Sequence, residues 1–197
     1  MSLNKNINNR MNKLSNMKIE SLKITGNDFY KLLLNDKSHF QLPKSKNLFK
    51  ISDFNGNKKF KLSYYVSTET ETKLNEISNL LKEELKLHPM LKNKKLELFL
   101  KDYKDQKYLN LNVVKHSKFG IVKNKKVEII EKEELKYAEY KSLIYMNLAV
   151  VGNKVYLRFN ITEIVKTKDQ IFEKQVPQQQ YDNNKFNMDL SEEEVEE

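Results

Sequence analysis

The chain has 197 residues, with 36 Lys+Arg against 27 Asp+Glu, a formal charge of +9 and no Cys. The absence of Cys excludes disulfides, thiolate metal sites and cysteine nucleophiles and suits a reducing intracellular compartment. No apolar run approaches the roughly 20 residues of a membrane-spanning helix. Ten Tyr and ten Phe offset the 32% charged residues, so a single core of about 150 residues between two polar ends is expected.

Charge is unevenly placed along the chain. The last nine residues, DLSEEEVEE, carry Asp189, Glu192, Glu193, Glu194, Glu196 and Glu197 and no base, which leaves 36 bases against 21 acids, a net +15, on residues 1–188. A field of that size attracts polyanions over about one Debye length, about 8 Å at physiological salt. Nucleic acid is therefore the expected partner, and the acidic end, hung from the Pro/Gln/Asn-rich stretch Gln175–Met188, reads as a cover for an anion-binding groove. A solubilising tail is the plainer alternative.

Residues 1–17 form a basic, Asn-rich arm, expected to be flexible. Leu3, Ile7, Met11 and Leu14 fall near helical spacing, so an organellar presequence is the alternative, although Arg is scarce. From Leu22 the chain turns to short alternating segments separated by Asn, Gly and Lys, the pattern of a sheet. Phe49–Phe54 and the Phe60–Val66 segment flank Asn55-Gly56-Asn57, a hairpin signal. Phe60, Leu62, Tyr64 and Val66 face one way, and Lys59, Lys61, Ser63 and Tyr65 the other. Glu69–Lys86 breaks the period: Leu74, Ile77, Leu81 and Leu85 recur at helical spacing, with a capping box at Thr68/Glu71 and a stop at His88-Pro89. Packing of this stripe on the sheet is preferred to a partner helix.

Leu96, Leu98 and Leu100 then alternate with Lys95, Glu97, Phe99 and Lys101. Leu109, Leu111 and Val113 alternate with Tyr108, Asn110 and Asn112, and run on into Lys115-His116-Ser117-Lys118-Phe119. Glu131–Tyr140 reads as a short helix or a charged loop. Leu143–Val151 is apolar on both faces, as a central strand is. Gly152-Asn153 turns it into Val155, Leu157, Phe159 and Ile161, which alternate with Lys154, Tyr156, Arg158 and Asn160. Five or six short strands with one inserted helix predict a mainly β, OB-like Greek-key barrel over residues 18–172, followed by linker and tail over 173–197.

The outward faces carry the chemistry of single-strand binding, which needs rings that stack on any base and cations that follow phosphates. Candidate contacts are Lys59, Lys61 and Tyr65; Lys95, Phe99, Lys101 and Tyr103; Lys115, His116, Lys118 and Phe119; and Lys154, Tyr156 and Arg158. Each ring has a structural alternative, cover for a sheet edge or for the helix. Catalysis is not expected: His39, His88 and His116 stand at no metal or triad spacing, and four scattered glycines build no phosphate loop. No metal or cofactor is implied.

In the order of its elements the chain resembles the single-stranded-DNA-binding proteins of podophage-type replication systems and of large DNA viruses. The segment that carries the resemblance is KVEIIEKEELKYAEYKSLIYMNLAVVGNKVYLRFNITEIV, Lys126–Val165, where a Glu/Leu-rich stretch precedes a hairpin ending in an alternating strand. The resemblance implies an OB barrel, sequence-tolerant binding of single-stranded DNA in replication or recombination, and an acidic tail that competes with DNA and docks a polymerase or helicase. It also fits self-association along a coated strand. An RNA-binding module of the same fold and a structural or assembly protein, viral or otherwise, remain the competing readings.

Overall fold

The computed structural model describes residues 13–46, 52–53, 60–123, 126–131 and 138–169. Among them the chain forms β1 (Leu22–Thr25), β2 (Lys31–Leu34), β3 (His39–Lys46), β4 (Ser52–Asp53), β5 (Phe60–Tyr65), α1 (Thr68–Leu87), β6 (Lys95–Glu97), β7 (Leu100–Tyr103), β8 (Gln106–Lys123), β9 (Lys126–Ile129), β10 (Ala138–Val151) and β11 (Lys154–Asp169). Sequence alternation anticipated five or six short strands. Eleven are present among the described residues, because β1, β2, β4, β6, β7 and β9 are each four residues or fewer, too short to show a period.

One sheet runs β1-β2-β10-β11-β8-β5-β4, with β3 on β10, β6 on β11, and β7 and β9 on β8. Five strands, β3, β10, β11, β8 and β5, curl into a barrel. The seam between β5 and β3 is closed by side chains: Tyr64 Oη donates to the Pro43 carbonyl oxygen (2.5 Å) and Ser45 Oγ to the Tyr65 carbonyl oxygen (2.7 Å). Pro43 has no N–H to offer a ladder, so a side-chain closure is the chemistry left to this seam. Burial holds the Tyr64 hydroxyl well above its usual pKa, which keeps it a donor.

The interior is filled by the faces that alternation assigned to it: Leu62 and Tyr64, Leu109 and Leu111, and Val155, Leu157, Phe159 and Ile161 are all buried. β10 is central, as expected, with β11 on one edge and β2 and β3 in line along the other. The β10–β11 turn places Gly152 at φ +60°, a conformation that glycine adopts without strain. Asn35 (φ 49°) and Asp36 (φ 61°) make a second two-residue turn between β2 and β3, with Asn35 Nδ2 also donating to the Lys18 carbonyl oxygen.

The helix buries Leu74, Ile77, Leu81 and Leu85 in the same core. Its cap is Ser67 rather than Thr68, one residue earlier than the capping-box pattern suggested; Ser67 Oγ accepts from the Thr70 amide, and the helix stops as expected at His88. Glu71 is drawn away from any box by an ion pair with Lys107 on β8. Other expectations shift as well. Leu14, assigned by composition to the arm, is buried, and its amide donates to the Gln41 carbonyl oxygen. Asp53 pairs with Phe60 across the first predicted hairpin, whose Asn55–Asn57 turn lies outside the described residues. Of the ambiguous Glu131–Tyr140 stretch, Ala138–Tyr140 belong to β10 and 132–137 lie outside the description.

If the side-chain seam closes the barrel, Tyr64→Phe and Ser45→Ala should each lower stability by about 1 kcal/mol. Urea unfolding midpoints of the two variants check this.

Candidate nucleic-acid interface

The outer face of the barrel is organised by register. Lys61, Asn112, Asn160, Tyr145 and His39 are paired in succession across β5, β8, β11, β10 and β3, so all five side chains stand on one side of the sheet. One step along, Asn147 pairs with both Arg158 and Lys31. Asn160 Nδ2 donates to Asn147 Oδ1 at 2.6 Å, and both amides are buried.

β8 and β11 run parallel beside each other from Leu111/Phe159 onward. Before that point each takes another partner on the same edge, β7 for β8 and β6 for β11. The β6–β7 segment is thus a wedge between two diverging strands. The sequence read Leu96–Lys101 as one alternating strand; the wedge breaks it at Leu98 and Phe99. Leu98, expected inside, is 75% exposed, and Phe99, expected to face outward, packs on Phe159 with ring centroids 5.2 Å apart.

A groove of about 360 Å³ opens beside this wedge, lined by Lys61, Leu98, Phe99, Lys101, Leu109, Asn110, Asn112, Val151, Tyr156, Leu157, Arg158 and Phe159. Five candidates scattered over 98 residues of sequence, Lys61, Phe99, Lys101, Tyr156 and Arg158, meet there. Tyr156 is exposed, and Leu98 and Val151 add apolar surface that alternation had not singled out.

The wedge is clipped to the β10–β11 turn. Lys94 Nζ donates to the Gly152 carbonyl oxygen and the Lys95 amide to that of Asn153, both at 2.7 Å. Lys154 pairs with Glu97 at 2.8 Å. The hydrogen bond from Lys154 lowers the Glu97 pKa and, reciprocally, raises that of Lys154. Lys154 therefore fastens the groove wall.

The remaining candidates lie outside the groove. Tyr65 pairs with Tyr108, which also faces Lys101 across β7; Tyr103 is exposed, with Lys104 Nζ 5.5 Å from its ring centroid. Between Ile161/Val113 and Glu163/Lys118 the β8–β11 register shifts. Ser117 Oγ accepts from the Val114 amide and donates to the Ile161 carbonyl oxygen, pinning a bulge on which Lys115 and His116 are exposed. Lys118 reaches the buried Glu163 at 3.3 Å, and Phe119 packs against the core. Lys59 and the acidic tail, Asp189 to Glu197, lie outside the described residues.

Sequence reasoning missed Tyr145 and His39, whose rings lie 5.9 Å apart on the outer face. Burial lowers the His39 pKa, against a raising influence of Glu163, which favours the neutral ring. The described residues contain no cluster of three metal-ligating side chains and no helix long and apolar enough to cross a membrane.

No protein-family model matches the chain, and no curated protein matches its sequence. Solved structures do. The single-stranded DNA-binding protein from bacteriophage Enc34 matches with a TM-score of 0.51 over 84% of this chain and 98% of its own, at 14% identity. The barrel has the fold of phage single-stranded-DNA-binding proteins. The same Enc34 protein in complex with ssDNA gives a TM-score of 0.52, covering 77% of this chain and 98% of that one at 14% identity. A weaker likeness, TM-score 0.45 at 11% identity over 70% of this chain and 99% of the other, is to gp2.5, a single-stranded DNA binding protein encoded by bacteriophage T7.

The Lys154–Glu97 clip carries a sign. Glu97 is depressed in the folded state, so its contribution is present at neutral pH and is lost as pH falls through that lowered value. In Lys154→Ala, NMR titration should return the Glu97 carboxyl to the ordinary glutamate range.

Proposed function

We propose that the protein binds single-stranded DNA in the wedge groove, without catalysis, in the service of replication or recombination. The observation that supports this most is the meeting of two accessible or half-buried rings, Phe99 and Tyr156, with Lys61, Lys101 and Arg158 around one opening. Rings alone suit many apolar ligands and cations alone suit any polyanion. Together they suit a strand whose bases are unpaired and whose phosphates are evenly spaced. The likeness to a protein solved with ssDNA supports the same reading.

Domain 18–172, together with the buried Leu14, would hold the strand, with residues 1–12 as a basic arm. Lys115, His116 and Lys118 on the β8 extension, Lys95 on β6, and Lys59 would supply outlying phosphate contacts; Tyr65, Tyr103 and Phe119 would offer further ring surface, and Lys154 would act through the wall it fastens. The acidic tail beyond residue 173 would occupy the groove when DNA is absent, and would dock a replication polymerase or helicase when DNA displaces it. Copies would line a coated strand in a reducing intracellular compartment.

Fluorescence anisotropy with labelled single-stranded DNA, duplex DNA and RNA, across a salt series, tests the reading. Single-stranded DNA should bind most tightly, and a chain ending at Met188 should bind it more tightly still. Tyr156→Ala should weaken binding by about 1–3 kcal/mol. Phe99 supports the core through Phe159, so Phe99→Leu is the better probe there. Lys101→Ala should flatten the slope of log K against log salt by about 0.7, the share of one phosphate contact on a single strand. Equal binding of all three polyanions would instead favour an assembly factor acting through charge.

A further inference from the structure

We propose that Asn110 and Asn112 read base edges in the groove, so that binding discriminates between bases at two successive nucleotides. The inference rests on the single-strand reading of the same groove and names what that groove selects.

β8 presents the two amides at alternate positions, opposite Ser63 and Lys61 of β5, and both line the groove. Its cations, Lys61, Lys101 and Arg158, suit phosphate. A carboxamide bears no net charge; what it adds is a donor and an acceptor side by side, the pattern of a base edge. Alternate residues of a strand stand about 6.6 Å apart, wider than a single base edge, so each amide meets its own base.

The hydrogen bonds around them set these two amides apart. Asn147 and Asn160 satisfy each other in a buried bond and hold β10 to β11. Asn112 Nδ2 donates to the Phe159 carbonyl oxygen at 3.3 Å, which fixes the orientation of the amide and leaves Oδ1 as an acceptor. Asn110 has no side-chain hydrogen bond among the described residues and is only half-buried, so it is held by no structural task.

The test is equilibrium anisotropy of the full-length chain with dT, dC and dA oligonucleotides of equal length at one salt concentration. It compares the parent with Asn110→Ala, Asn112→Ser and the double variant. Serine can keep a donor near Phe159 while removing the amide acceptor. The parent should favour one base over the least favoured by about 25-fold, and each single change should cost about 5-fold on the favoured base alone, one hydrogen bond's worth. The double variant should bring the three oligonucleotides to parity without altering the salt slope, since no charge is removed. Equal affinities in the parent, or a preference that survives both changes, would overturn base reading and leave single-strand binding standing. A parent that binds duplex of the same length as tightly as single strands would overturn the underlying reading itself.

Discussion

β11 is hydrogen-bonded along both edges, antiparallel to β10 and parallel to β8, and the faces of the neighbouring strands follow from its register. Side chains alternate with a period of two, so the pairing that sends Val155, Leu157, Phe159 and Ile161 into the core also puts Tyr156 and Arg158 outside. A slip of one residue would exchange the two sets. The tight turn at Gly152 pins one end of this register. Shifts at Leu143/Ile144 on β10 and Ile161/Glu163 against β8 absorb the curvature of a closed barrel without unpairing the strand.

Lysine does two kinds of work on this scaffold. Lys107 with Glu71 joins the helix to β8, Lys154 with Glu97 joins the wedge to β11, and Lys118 with Glu163 crosses the β8 bulge. Ion pairs at the surface add little to stability, so the first two orient neighbouring segments more than they hold the fold, whereas the third reaches a buried carboxylate. Lys101 and Arg158 at the groove rim carry charge that the fold does not consume in an ion pair among the described residues. The basic excess seen in composition is thus partly structural and partly directed at one opening.

Much of this was legible in the sequence. The inward faces of β5, β8 and β11, the helical stripe, the Gly152 turn and the central place of β10 all follow from periodicity and glycine chemistry. The wedge was not, because Leu96–Lys101 keeps Leu at every second position in sequence while the chain breaks pairing at Leu98; which strand a segment leaves and which it joins is a long-range fact. Tyr145 and His39 escaped for a related reason. On a strand apolar on both faces, a single Tyr gives no period, and only its register with Asn160 and His39 reveals the outer side. Residues 1–12 and 170–197 and Lys59 are legible only as charge and composition.

The wall of the groove formed by Leu98 and Phe99 belongs to no strand, standing between the end of β6 and the start of β7. Sheet hydrogen bonds therefore need not break for the exposed Leu98 to shift, while Phe99 stays packed on Phe159. Such a trough is loaded broadside. Under the proposed reading, an interior stretch of a strand would drop into it without an end being threaded.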